Sequence, residues 1–448
     1  MIIWELDWRP PADAFAPLAG AVGAHLLHGG DRSHAADWSV IAAFPAEVIS
    51  ASQAATENPF SRLDAALRDR RQATDEKWRR LPFVSGALGF AGYEAARFLE
   101  KSLSLPPPPY RLPDFWFGLY DAAALFSRSG KQAWIAGRNE AACRQLRDAL
   151  GTDPLPTATT NAARALASNF SKSAYQRAVA EAIENILDGD YYQANLSQRL
   201  SAALSADSDP FLLFRALARD SDAFHGAFLQ FDHGAVISNS PERFFRIEPL
   251  ANGEARIVAE PIKGTRPRGA GAEEDKALAE ALLHDPKDRA ENIMIADLLR
   301  NDLSRICRDG TIREEAVCAL MSLTHVHHLV SRISGVLPKG ASLGGVFAAL
   351  FPCGSITGAP KIEAMHAIAR IEKSGRGPYC GAIGYADDRG GADFAVAIRT
   401  LIAEGGTCSL PVGGGVTLRS DPSLEYEETI VKAKGALSAL GLTAEDLL

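Results

Sequence analysis

The stretch Tyr191-Tyr192-Gln193-Ala194-Asn195-Leu196-Ser197-Gln198-Arg199-Leu200 decides the reading of the fold. Tyr192, Ala194, Leu196 and Gln198 alternate with Gln193, Asn195, Ser197 and Arg199, and alternation at every second residue marks a β-strand. One face of that strand is polar throughout. Such a face ordinarily meets water; turned inward, it walls a site. Upstream, Ser173 and Gln176 have capping-box spacing, and Tyr175, Val179, Ala182, Ile183 and Ile186 share a helical face that stops at Gly189. Downstream, Asp285-Pro286 and Asp421-Pro422 each set a capping acid before a proline suited to a first helical turn. Gly381 to Gly384, Phe394 to Ile402 and Thr407 to Val416 read as strands of a late meander. Strands and helices alternate without an even βαβ rhythm, which predicts an α+β protein with large antiparallel sheets.

The 448 residues suffice for one large or two ordinary domains. Residues 1 to about 150 form an N-terminal region that includes the extended run Pro106 to Pro109. A Thr-, Ala- and Pro-rich linker from Gly151 to about Ala167 follows, and a catalytic region is expected over 168–445. The net charge of −8 leaves no basic stripe for nucleic acid. No apolar run is long enough for a membrane span, the N-terminus does not read as a signal peptide, and a cytoplasmic location is expected. The six cysteines are scattered, which indicates neither a disulfide framework nor a zinc cluster.

Several segments carry chemistry-bearing side chains. Lys263, in Glu260-Pro261-Ile262-Lys263-Gly264-Thr265, follows a stiff proline and precedes a glycine that lets a ligand approach closely. Gly413-Gly414-Gly415 inside a strand pattern is either a bulge or a close approach of backbone to an anion. Glu291 and Glu425 stand near the starts of separate helices; if they converge, their oxygens suit Mg²⁺. Glu242, His328, Arg399 and the turn Ser355 to Lys361 complete the set. Gly86 to Gly92 matches neither a dinucleotide fingerprint nor a P-loop and reads as a close-packed turn.

Together these segments resemble the chorismate-utilising enzymes, most closely their aminodeoxychorismate synthase branch. The matching pieces include LLHGG at 26–30, GDYYQANLSQR at 189–199, SPERF at 240–244, PIKGT at 261–265 and KDRAENIMIADLLRND at 287–302. HHLVS at 327–331, GSITGAPK at 354–361, CGAIGY at 380–385, AIRTL at 397–401 and VGGGV at 412–416 continue the series. The likeness is dense from about 173 to 440. It implies antiparallel sheets packed as a sandwich with helices outside.

The resemblance also implies roles. Lys263 would attack the chorismate ring covalently, where anthranilate synthases carry alanine. Glu242 would protonate the departing hydroxyl, and Glu291 and Glu425 would hold Mg²⁺, with Glu428 in support. Gln193, Thr265, Thr357, Tyr385, Arg399 and the backbone of Gly413, Gly414 and Gly415 match substrate contacts, and His328 matches a catalytic position. Arg266 and Arg268 are candidate cations for activating Lys263. Ammonia would come from a separate glutamine amidotransferase subunit, since no Gly-x-Cys-x-Gly nucleophile is present, or from solution. Leu26 to Gly30 lacks the Glu and Ser of the tryptophan-binding pattern of related anthranilate synthases, so any bound tryptophan would need other contacts. The rival readings are anthranilate synthase component I and an inactive chorismate-binding protein; Gln193, where isochorismate synthases tend to have lysine, disfavours that third reaction.

Overall fold

The computed structural model describes residues 1–29, 37–73, 76–152, 163–219, 223–323 and 326–447. Gly30 and the linker positions 153–162 lie outside the described residues. The architecture is α+β: two large antiparallel sheets face each other and helices cover their outer sides. The twelve-stranded sheet runs Ile2–Leu6, Gln132–Gly137, Ala122–Ser127, Trp38–Ala42, His25–Gly29, His225–Phe231, Gly234–Ser240, Thr400–Glu404, Thr407–Thr417, Gln193–Leu204 and Gly358–Ala359, with Ala163–Ser168 also on Gln193–Leu204. The ten-stranded sheet runs Ile262–Pro267, Val326–Leu337, Ala255–Glu260, Arg243–Pro249, Ala392–Val396, Ala382–Asp387, Gly86–Ala91, Phe115–Tyr120 and Glu47–Ala51, with Arg313–Ser322 beside Val326–Leu337. Strands from the first 150 residues therefore enter both sheets alongside later ones.

Three apolar layers hold the sandwich together. Leu88, Phe90, Trp116, Leu125, Trp134 and Leu229 pack between the sheets. Phe60, Ile295, Leu299 and Phe347 cover the ten-stranded sheet from outside, and Phe15, Leu146, Phe211 and Leu437 cover the twelve-stranded one. Burying such surface is the main favourable term in folding, at about 25 cal/mol per Å² of apolar area.

Local signals place several elements as expected. Asp285 accepts from the backbone N–H groups of Lys287 and Asp288 and starts the helix Pro286–Ser304. Asp421 does the same for Pro422–Ala439 through Ser423 and Leu424. The helix before Gly189 differs: Ser171, in extended backbone, is its cap, accepting from Ala174, and the helix spans Lys172–Leu187. Ser173 lies inside it, and Gln176 donates to Ser423 on the C-terminal helix rather than closing a capping box.

Two strand expectations are corrected. Gly86–Ala91 is a fully buried strand, not a turn; a Cβ at Gly89 would lie 2.0 Å from the Trp116 carbonyl, so glycine here lets two strands touch. Phe394 to Ile402 is two strands in different sheets, Ala392–Val396 and Thr400–Glu404. Ala397, Ile398 and Arg399 carry the chain across, with Arg399 at φ 50°. The run from Phe394 to Ile402 is apolar except at Arg399 and Thr400, and a nearly continuous apolar run hides the break in the sequence.

Candidate active site

The site lies where one end of each sheet meets the other, and two of its residues stand on chain crossings. Between Gly234–Ser240 in one sheet and Arg243–Pro249 in the other lies Glu242; between Ala392–Val396 and Thr400–Glu404 lies Arg399. The two crossings are tied together: Val396 N–H donates to the Glu242 carbonyl at 3.0 Å, and Asn239 N–H to the Arg399 carbonyl at 3.1 Å.

Lys263 sits on Ile262–Pro267, and its Nζ donates to the Ser355 carbonyl at 3.0 Å. The Ser355 hydroxyl donates to Glu242 Oε1 at 2.7 Å. One serine therefore holds both side chains. Glu242 is 4% exposed, and burial raises its pKa against the opposing pull of the Ser355 hydroxyl and the Lys263 charge. A carboxyl so placed favours the protonated form that a general acid needs.

Gln193 has zero exposure, yet neither its Nε2 nor its Oε1 has a hydrogen-bond partner in the described structure. Buried amides are almost always satisfied, so this one is kept for a ligand or an ordered water. Asn195 Nδ2, next on the same strand face, is likewise buried and unpartnered. The polar face of this strand does turn inward. Across from it, Gly413, Gly414 and Gly415 pair with Ser197, Leu196 and Asn195 in unbroken register, so no bulge forms. A Cβ on Gly415 would lie 2.4 Å from Gln193 Nε2 and 3.6 Å from Lys263 Nζ; on Gly414 it would lie 3.0 Å from Glu425 Oε2 and 3.3 Å from Glu428 Oε1. Gly415 keeps open the space beside the amine and the amide, and Gly414, directed to the opposite face of the strand, the space beside the acids.

Thr265 Oγ1 and His328 Nδ1 are 2.8 Å apart on paired strands. Burial lowers the His328 pKa to about 4, and the Arg399 charge pushes the same way, so the ring is neutral at pH 7. Arg399 reaches solvent in part, yet the protein around it is dense enough to lower its pKa by desolvation. Among the described residues no carboxylate pairs with its guanidinium, whose planar fork suits an anion. Thr357 is fully buried next to this turn; its hydroxyl donates to the Cys353 carbonyl, and its carbonyl accepts from Asn195 N–H.

The acids converge. Burial raises the Glu291 pKa, with Lys263 and Lys287 opposing and Asp288 and Glu428 adding to the rise. Burial and Glu428 raise that of Glu425, which accepts from Ser420 at 2.6 Å. In Glu428, Lys432 at 2.6 Å overcomes the effect of burial and holds the pKa low. Among the described residues no three His, Cys, Asp or Glu side chains close on one point as a metal cage. Magnesium does not require one: it takes one or two carboxylates and fills its shell with water and substrate oxygens. Hard carboxylate oxygens, Glu428 within electrostatic reach of both Glu291 and Glu425, fit that donor set.

Three sequence-derived expectations need correction. The structure does not bring Tyr385 to this cluster. Its register with Leu88 and Asp393 aims the ring at Phe83, into a separate cavity of about 460 Å³ between the sheets that Leu27, His28, Gly29 and Trp38 also line. Arg266 is paired with Asp285 and Asp288, and Arg268 with Asp275, so neither is a free cation for Lys263. Lys361 is spent on Asp302 and the Leu350 carbonyl. Ser355 and Lys287 are the residues whose parts went unread; a turn serine bridging two distant strands leaves no periodic signal.

The family model for chorismate binding enzymes matches residues 26–438. The chain belongs to the chorismate-binding enzymes. Aminodeoxychorismate synthase component 1 of Klebsiella aerogenes is 34% identical over 97% of this chain and 98% of its own length. Anthranilate synthase component 1 of Thermus thermophilus is 37% identical over 82% of this chain and 79% of its own. The solved anthranilate synthase component I from Streptococcus pneumoniae TIGR4 superposes with a TM-score of 0.78 at 29% identity, covering 91% of this chain and 93% of that one. For a chorismate-binding enzyme the geometry is coherent: an unpaired arginine, a neutral histidine and close-set glycines face an anionic ring substrate, with an amine and a buried acid beside it. Among the described residues no helix is long and apolar enough to cross a membrane.

Proposed function

We propose that the chain converts chorismate and ammonia to 4-amino-4-deoxychorismate, through a covalent bond to Lys263. The observation that carries this reading is the Lys263–Ser355–Glu242 arrangement, in which a nucleophile and a buried acid are held by one residue. The Lys263 amine adds through its lone pair at ring C2, the two ring double bonds each shift by one position, and the C4 hydroxyl takes the Glu242 proton and departs as water. Ammonia then adds at C4, both double bonds shift back, and the Lys263 amine leaves C2 with its bonding pair. Gln193 lies beside this exchange and orients the incoming groups. Arg399 grips a substrate carboxylate, and neutral His328 with Thr265 lines the wall near it. Glu291 and Glu425, supported by Glu428, would hold Mg²⁺, whose charge neutralises a substrate carboxylate when bound.

Relatives bearing the name component 1 support a separate amidotransferase subunit as the ammonia source. The competing reading is anthranilate synthesis, favoured by comparable identity to enzymes of that name. The decisive assay incubates the purified chain with chorismate, magnesium chloride and ammonium chloride. Aminodeoxychorismate, identified by mass spectrometry, is expected; fluorescent anthranilate formed with no added lyase would overturn the assignment.

A further inference from the structure

We infer that Arg376, braced by Glu372, is a positioning residue that sets the Ser355 turn and, through it, the geometry between Lys263 and Glu242. Arg376 is 3% exposed, and four of its five guanidinium N–H groups have partners. Nε donates to Glu372 Oε2 at 3.0 Å and Nη2 to Glu372 Oε1 at 2.7 Å. Nη2 also reaches the Asn195 carbonyl, and Nη1 the Ile356 carbonyl at 3.3 Å. The guanidinium lies over the Tyr93 ring, 4.7 Å from its centre.

The two carbonyls it joins belong to different walls of the site. Asn195 is on the strand that carries Gln193, and Ile356 follows Ser355 directly. The turn is held along its whole length: the Ser355 carbonyl accepts from Lys263, that of Ile356 from Arg376, and that of Thr357 from Asn195 N–H. Fixing the peptide after Ser355 limits where its own carbonyl and hydroxyl can point. Those two atoms face the nucleophile and the acid.

Glu372 does a second job. Its Oε1 also accepts from the Ser197 N–H at 2.7 Å and hydroxyl at 2.9 Å, which anchors the ion pair to the strand. Glu94 accepts from the backbone N–H groups of Arg376 and Gly377 at 2.7 and 2.8 Å and holds the arginine from behind. A buried guanidinium with two carbonyls and one carboxylate is a forked connector, which lysine cannot reproduce. Among the described residues no hydrogen bond or ion pair joins Arg376 or Glu372 to Lys263, Glu242 or Gln193, so any effect on turnover must pass through the turn or the strand that they hold.

The inference uses the proposed reaction only in assuming that Lys263 and Glu242 act on chorismate together. The test compares Glu372→Gln, Arg376→Lys and Ser355→Ala, and the double variant Glu372→Gln with Ser355→Ala. Ammonia-dependent chorismate consumption is followed, whatever the product, beside thermal melting. Product identity in the wild type judges the proposed reaction; the variants, relative to wild type, judge the positioning role. Folded Glu372→Gln and Arg376→Lys should lose kcat by about tenfold to a hundredfold while KM for chorismate stays within about threefold, since misplacement by an ångström costs on that scale. The double variant should lose less than the product of the two single losses, because both changes act on the Ser355 hydroxyl while its carbonyl is still to be positioned. Wild-type kcat in folded Glu372→Gln, or additive losses in the double variant, would overturn the inference. Should Arg376→Lys fail to fold, the Glu372–Ser355 cycle decides the matter by itself.

Discussion

Gln193 and Ser197 stand on the same face of one strand, and the fold treats them in opposite ways. Both are buried. Ser197 gives its N–H and its hydroxyl to Glu372, which is in turn locked to Arg376. Gln193 has two polar atoms and no partner for either. The satisfied end is scaffold, stabilised by a closed network; the unsatisfied end costs folding free energy, and in the proposed reaction it is the end that a substrate completes. Stability and function are thus divided along a single strand.

The strongest test of this division is at the open end. Lys263→Ala should lower amination by about a thousandfold or more, the scale of removing a covalent nucleophile, with chorismate binding by calorimetry largely kept. Unchanged turnover would remove the covalent route. Glu242→Gln should reduce kcat by about a hundredfold to ten-thousandfold. The pH profile carries its sign: burial raises the Glu242 pKa above the ordinary 4.5, the acid form is the active one, so wild-type kcat holds below that raised value and falls as pH rises through it. The variant should lack that alkaline fall.

Arg399→Lys is a milder break of the same end. Replacing a fork by a point charge should raise KM for chorismate by about tenfold to a hundredfold, the loss of one charge-assisted hydrogen bond, with kcat less affected. Steady-state kinetics with varied chorismate read this directly. The smallest effects sharpen the comparison most. Ser197→Ala should cost about 1–2 kcal/mol in urea unfolding, since Glu372 loses a donor. Gln193→Leu should leave stability unchanged or raise it by about 1 kcal/mol while impairing turnover, because it deletes two unpaired groups. Equal destabilisation by both would show that Gln193 is scaffold after all.

How much of this was legible depends on range. The helix starts at Asp285-Pro286 and Asp421-Pro422 were readable because a cap bonds residues two or three positions away. The polar face of Gln193, Asn195 and Ser197 was readable from alternation, but not whether it faced water or protein. Ser171 was missed as a cap because Ser173 offered the same chemistry two residues later. The crossing at Ala397 to Arg399 was missed because the apolar run from Phe394 to Ile402 is nearly continuous across the change of sheet. Tyr385 was carried over from a resemblance at a position where strand register, set by Leu88 and Asp393, turns the ring into the other cavity.

The amino-acid sequence alone determined several of the strands and helices and the chemical type of each candidate group, and its motif order carried the resemblance that implied the class of substrate, because short-range periodicity, capping and motif order are local properties. Tertiary structure decided which groups meet. Glu291 and Glu428 come within electrostatic reach across helices far apart in the chain, and Ser355 joins Lys263 to Glu242 from a third segment. Such contacts depend on sheet order and the crossings between sheets. Those are set by the burial of whole layers rather than by any residue's neighbours in sequence.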